Sequence, residues 1–395
     1  MLEEENARKL KYYKLMEDLR EQIVCGKLQA GDKLPSENEL SRTYGVSRQT
    51  VRKALLILEN AGYIYAEHGR GTFCSELVRH TRTSHNIAVV TTYLSDYIFP
   101  RVIQGIDHVM TEAGYSIILK NTRNSRSMEA RCLEELLKKD IDGLIIEPSK
   151  SQIYCRHRNL YQKLDEFQIP YVFIQGCFKQ MEDKPQILMD DCRGGYLITK
   201  YLIGLGHRRI VGVFKADDMQ GQNRHKGYVT ALQEAGISYD PDRVVWFYTE
   251  DRAIHPYERM RQMAEAGEQM DAVVCYNDQI AVEVIRGLNE AGLSVPEDIS
   301  VTGYDNSFIA ESSAVKLTTI AHPQERLGEM AAEMLLSLMR DGQLSGGKDK
   351  IMIEPELVIR DSCKTRNGLG YGIKKTTCRD DNTSCKMKVS QNRRK

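Results

Sequence analysis

At 395 residues the chain is too long for one core of ordinary size, so two or three domains are expected. Hydrophobic residues at 41% and charged residues at 28% suit a soluble globular protein, and no apolar run approaches the roughly 20 residues of a membrane span. The 55 Lys and Arg cancel the 55 Asp and Glu, so bulk charge favours no nucleic acid and any such case must rest on one face.

The N-terminus, MLEEENARKLKYY, lacks an apolar signal core, so a cytoplasmic location without a membrane partner is expected. The ten cysteines are scattered without a CxxC pair and read as reduced, packed thiols, with no metal site and no cofactor. Residues 11–25 predict a helix, with Leu15, Leu19 and Ile23 four apart and Gly26 at its end. Residues 34–61 predict two short helices round a tight turn. Ser36 and Glu39 have capping-box spacing, and Gly45 supplies the positive φ the reversal needs. Ser47 caps the second helix, with Val46 and Val51 as its staple. Val51, Ala54, Leu55 and Leu58 form one apolar stripe. The opposite face carries Arg48, Gln49, Arg52 and Lys53, as a helix entering a DNA major groove would. A solvated basic face on a helical hairpin reads equally well from these residues alone.

Residues 62–74 (GYIYAEHGRGTFC) tip the balance. They predict two short strands round Gly69-Arg70-Gly71, the wing of a winged helix-turn-helix domain. His68 and Arg70 sit where a wing meets the DNA backbone or minor groove. With LPSE, GVSR, TVRKAL and GRGTF in order, residues 10–75 resemble the GntR family of bacterial transcription regulators. In this reading Arg48, Gln49 and Arg52 read bases, while Ser47, Thr50, His68 and Arg70 position the backbone. Ser36 and Gly69 complete the candidate DNA-contacting set. Residues 76–85 are polar and aperiodic and read as a linker.

From Asn86 the pattern changes. Short apolar runs at 86–91, 115–120, 143–147, 170–175, 209–215, 244–247, 272–276 and 299–304 alternate with amphipathic stretches. That alternation predicts an α/β domain, residues 86–362, of parallel sheets covered on both faces. The segments 317–320 and 351–354 return the chain to each half, giving two doubly wound lobes with a cleft between them. In such sheets ligands sit beyond the carboxyl ends of the strands. Glu147, Gln175, Lys215, Asn277-Asp278 and Asp305 follow strands directly, and Arg224 lies near a helix start. Phe99, Trp246 and Tyr276 offer flat surfaces, though Trp246 suits a core better. Carboxylates, amides and Arg beside an aromatic ring suit a polyhydroxylated small molecule. Asn277 and Asp305 would serve equally as helix caps, and Lys215 as a solvated strand end.

LGHRRIVGV (205–213), RHKGY (224–228), YNDQIAVEVIRGLNEAGLSVPEDISVTGYDN (276–306) and LTTIAHP (317–323) resemble the LacI/GalR effector domain, related to periplasmic sugar-binding proteins. That resemblance implies that Arg224, Asn277 and Asp305 hold sugar hydroxyls. It also implies a periplasmic-binding-protein-like fold. The LacI/GalR head and hinge helix are absent, and a GntR-type head stands instead. This fusion resembles the family of arabinose-responsive repressors, as do TTYLSDYIFPRVIQGI (91–106) and FKADDMQG (214–221). By that resemblance Asp96 and Phe99 join the pocket and His322 approaches it. Residues 366–395 lack any periodic apolar pattern and read as a disordered tail.

The expected protein is therefore a homodimeric, sugar-responsive regulator of operator DNA, most simply a repressor of arabinose or pentose genes. A sugar-dependent activator and a transport-associated binding protein are the alternatives. No P-loop, nucleophile elbow or dinucleotide fingerprint favours an enzyme.

Overall fold

The structure is a computed structural model that describes residues 2–24, 27–29, 31–60, 63–67, 69–75, 84–94, 97–342 and 349–366. Helix α1 (Leu2–Val24) begins well before the expected residue 11. The stretch LEEENARK contains no helix breaker. Helices α2 (Glu37–Tyr44) and α3 (Arg48–Asn60) follow, joined at Gly45 with φ 60°. Strands β1 (Ile64–Glu67) and β2 (Gly71–Cys74) pair antiparallel with Ile64 opposite Cys74, and Lys33 bridges to Phe73 beside them. Leu15, Leu19, Leu40, Val51, Leu58 and Ile64 share one buried core, so the stripes of three helices close on the hairpin.

The rest divides into two lobes. The first runs β3 (Asn86–Thr91), α4 (Phe99–Glu112), β4 (Ser116–Asn121), α5 (Arg126–Leu136), β5 (Gly143–Ile146), α6 (Arg158–Glu166), β6 (Tyr171–Ile174) and β7 (Gln186–Met189). The second holds α7 (Asp191–Gly204), β8 (Ile210–Lys215), α8 (Met219–Glu234), β9 (Val244–Phe247), α9 (His255–Glu265), β10 (Ala272–Cys275), α10 (Asp278–Glu290), β11 (Ser300–Thr302), α11 (Phe308–Ser312) and β12 (Thr319–Ala321). The chain then returns as α12 (Gln324–Asp341) and β13 (Lys350–Ile353) to the first lobe, and as β14 (Glu356–Val358) to the second. It therefore crosses between lobes near Asp190, near residues 322–323 and near residues 354–355.

The first lobe's parallel sheet has the order β13-β7-β6-β5-β3-β4. Along β3, Ile87 and Val89 face α4 and α12, while Ala88 and Val90 face α5 and α6. Every one of these residues is buried, which is why the run reads as continuously apolar. The second parallel sheet has the order β11-β10-β8-β9, and β12 pairs antiparallel with β14. Burying each large aliphatic side chain contributes about 1.5–3 kcal/mol, so these sheets are rigid platforms for the loops at their ends.

Two strands were not expected. β7 is four residues long, follows Pro185 and begins with Gln186, whose amide caps the carbonyls of Glu182 and Lys184. β14 has three residues with exposed Glu356 at its start. Both borrow stability from a partner distant in sequence. Of the linker expected at 76–85, residues 76–83 lie outside the described residues, and so do residues 367–395 of the tail expected at 366–395.

Candidate functional site

In the head, Ser36 accepts from the Glu39 N–H at 3.3 Å and Glu39 accepts from the Ser36 N–H at 2.7 Å, so the capping box forms. The Ser47 hydroxyl accepts from the Thr50 N–H at 3.2 Å and lies 2.8 Å from the Thr50 hydroxyl, capping α3. α3 buries Val51, Ala54, Leu55 and Leu58 and leaves Arg48, Gln49, Arg52 and Lys53 exposed. Arg52 Nε donates to both Glu37 carboxylate oxygens, at 2.8 and 2.9 Å, which fixes the guanidinium beside the helix. Gly69, with φ 78°, turns the wing, and exposed Arg70 pairs with Glu67 at 2.6 Å. Ser36 is engaged with Glu39, so its visible work is capping. His68 lies outside the described residues.

The second constellation lies between the lobes. A cavity of about 80 Å³ is lined by residues beyond the carboxyl ends of both sheets, including Glu147, Gln175, Lys215, Asn277 and Asp305. Phe99, Arg224 and Tyr276 also line it. Asp96 lies outside the described residues.

Arg224 anchors the second-lobe wall. It is 4% exposed, with Nε 2.7 Å from Asp191, Nη2 3.5 Å from Asp305 and Nη1 2.6 Å from the Tyr276 carbonyl. Its guanidinium stacks 3.5 Å from the Tyr304 ring centroid. This seat exists because α7 and α8 approach closely: a Cβ on Gly195 would stand 2.1 Å from the Arg224 carbonyl oxygen. Burial pushes the Asp191 carboxyl up to about 6 against the pull of Arg224. Asn277 accepts from the Ile280 N–H at 3.0 Å, so it caps α10 and lines the cavity at once. Lys215 is no solvated strand end. It is buried, and although burial pulls its pKa down, Asp218 at 2.5 Å and Asp217 at 3.7 Å raise it on balance.

On the first-lobe wall, Glu147 accepts from the Thr92 N–H at 2.9 Å and hydroxyl at 2.5 Å. Burial pushes its carboxyl up to about 7, with the Thr92 bonds opposing. Trp246, which suits a core better than a cavity wall, packs in that way: it faces away, against His225 with centroids 4.8 Å apart, because the period-2 strand points it outward from Val245 and Phe247. One expectation needs correction. His322 does not line the cavity; it lies behind Gln175, with Nε2 2.9 Å from that amide oxygen. Asp278 also faces elsewhere, accepting from Ser307 and Thr319.

Sequence reasoning missed Tyr93, Tyr97, Asp218, Gln220 and Arg252, which all line the cavity. Tyr93 and Asp218 each follow a strand within three residues, so the strand-end rule could have found them. Three buried wall atoms, Tyr93 Oη, Gln175 Nε2 and Gln220 Oε1, have no hydrogen-bond partner among the described residues. Leaving such groups unsatisfied costs about 1–3 kcal/mol each, so the wall is built for a polar occupant.

A winged helix joined to a two-lobed α/β domain with a cavity between the lobes is the architecture of a ligand-responsive transcription regulator. Residues 11–74 match the gntR family of bacterial regulatory proteins, and residues 199–363 match the periplasmic binding protein-like domain. The chain is 40% identical over 362 residues to the arabinose metabolism transcriptional repressor of Halalkalibacterium halodurans, covering 89% of this chain and 96% of that one. It is 38% identical over 357 residues to the repressor of the same name from Geobacillus stearothermophilus, covering 90% and 98%. The chain belongs to the family of arabinose metabolism transcriptional repressors. Among solved structures, a LacI family transcriptional regulator from Enterococcus faecium with bound ribose is similar at 26% identity and TM-score 0.61, covering 71% and 100%. No helix among the described residues is long and apolar enough to cross a membrane.

Proposed function

We propose that this chain is a cytoplasmic repressor that holds operator DNA as a homodimer and releases it when L-arabinose, or a closely related monosaccharide, fills the interlobe cavity. The observation that carries this reading is one cavity in which Arg224, Asp305 and Asn277 face Glu147 and Gln175 across the lobes, on a chain whose other end exposes Arg48, Gln49 and Arg52. Vicinal hydroxyls both donate and accept, which matches a wall of fixed carboxylates, amides and a guanidinium. Tyr276 and Phe99 can cover the apolar C–H face of a sugar ring. Two-fold symmetry in the dimer places two heads on a near-palindromic operator. An occupant that bridges the lobes favours one lobe arrangement. A coupling of about 1–3 kcal/mol then changes operator affinity roughly 5–150-fold. Gel-shift titration of the cognate promoter against pentoses and hexoses tests this. Release by L-arabinose at concentrations that leave nonspecific DNA bound is the expected result; indifference to every sugar would sink it.

A further inference from the structure

Gln175 stands at the meeting of the cavity and the interlobe crossing. It follows β6 in the left-handed region, φ 66°, is 4% exposed and lines the cavity. Its amide oxygen faces His322 Nε2 at 2.9 Å. His322 is 6% exposed and lies where the chain passes from β12 in the second lobe to α12 in the first. Burial holds this imidazole neutral at pH 7, its pKa pushed down to about 4. A neutral imidazole carries one N–H, and an amide oxygen can only accept. The proton is therefore on Nε2, and His322 Nδ1, with no partner among the described residues, is the bare nitrogen. The Gln175 amide nitrogen has no partner among them either and is left to the cavity.

We propose that His322 is the positioning residue that fixes Gln175 as a hydrogen-bond donor in the cavity wall. The occupant must then present an acceptor oxygen to Gln175. Gln220 Oε1, an acceptor in the same wall with no partner among the described residues, asks for a hydroxyl donor. The two demands together select a polyol over a carboxylate, which Gln220 would repel, and over an amine, which Gln175 would reject. The selectivity rests on the monosaccharide reading above. The His322 tautomer does not.

The test uses the full chain and L-arabinose in a calorimetric titration. His322→Leu removes the donor and frees the amide to turn; about tenfold weaker binding is expected, the loss of one neutral hydrogen bond. His322→Gln keeps a donor at the same reach and should restore most of it. In a Gln175→Ala background His322→Leu should have little further effect, since the pair acts as a unit. Full additivity of the two substitutions would overturn the proposal, as would failure of His322→Gln to rescue while its melting curve matches wild type. Nitrogen-15 NMR of labelled histidine supplies a readout independent of any sugar: the Nε2–H tautomer is expected, and Nδ1–H would refute the assignment. If wild type binds no L-arabinose, the sugar reading fails and the tautomer still decides the positioning claim.

Discussion

The Tyr97 hydroxyl donates to the Tyr304 carbonyl at 2.8 Å and accepts from the Asp278 N–H at 3.0 Å. Tyr97 belongs to the first-lobe loop after β3, and its backbone sits at φ 74°. Both partners belong to the second lobe. One side chain thus ties the lobes together at the cavity, beside Ser151–Met219 and Asn124–Asp218, which cross the same gap. Tyr97→Phe keeps the ring and removes two hydrogen bonds, worth about 1–2 kcal/mol together. Affinity for L-arabinose should fall roughly 5–30-fold, with operator affinity in the absence of sugar unchanged. Calorimetry beside gel shifts checks it, and unaltered sugar binding would mean the tie does not help close the lobes.

Arg224 makes a harsher case. It is buried with Asp191 and Asp305, and breaking such a pair from one side typically costs about 3–5 kcal/mol because a carboxylate is left alone. Arg224→Met should abolish sugar binding and lower the melting temperature by roughly 6–20 °C for a domain of this size. Adding Asp191→Asn should recover part of the stability but none of the binding. Scanning calorimetry of both variants separates the two roles. A single variant that melts like wild type would show that the buried pair is not holding α7 to α8.

Much of this architecture could be read before any coordinates. The head was legible because capping at Ser36 and Ser47 and the stripe from Val51 to Leu58 are local patterns. The strands were legible because burial on both faces makes residues such as Ile87 to Val90 uniformly apolar. β7 was not, since four residues after a proline acquire strand identity only from β6 and β13. In the cavity, the strand-end rule located Glu147, Gln175, Lys215, Asn277 and Asp305. It could not place His322, because whether that ring faces the cavity or stands behind Gln175 depends on where the lobe crossing passes. Tyr97 and Arg252 lie on loops whose course follows no sequence period.

Titration offers a third prediction. Burial pushes Glu147 from the ordinary 4.5 up to about 7. Its folded value is above its unfolded one, so the folded form keeps a proton the unfolded form has lost. Stability from this group therefore declines as pH rises between about 4.5 and 7, by up to about 3 kcal/mol at about 1.4 kcal/mol per unit. Asp278, pushed to about 7 by burial with Asp305 assisting, adds the same sign. His322 and His207, both lowered to about 4 by burial, act oppositely up to their ordinary 6.5. The wild-type curve sums these slopes, so the informative quantity is a difference. Glu147→Gln, whose amide oxygen can still accept from Thr92, should gain on wild type steadily from pH 5 to 7.5 in urea titrations. A constant gap across that range would place the Glu147 proton elsewhere.

Arg52 carries the last prediction. Its Nε is committed to Glu37, so the terminal nitrogens on the exposed face of α3 are the ones available to a base. A bidentate fork onto guanine O6 and N7 discriminates by about 1–3 kcal/mol. Arg52→Ala should weaken cognate operator binding about 5–150-fold while nonspecific DNA binding changes little. The slope of log affinity against log salt should stay nearly constant, because a base contact releases few counterions. Sugar affinity should be unaltered, since the cavity lies on the other domain. Parallel loss of sugar and operator binding would deny the division of labour between head and lobes, and a uniform loss across DNA sequences with a shallower salt slope would recast Arg52 as a phosphate contact.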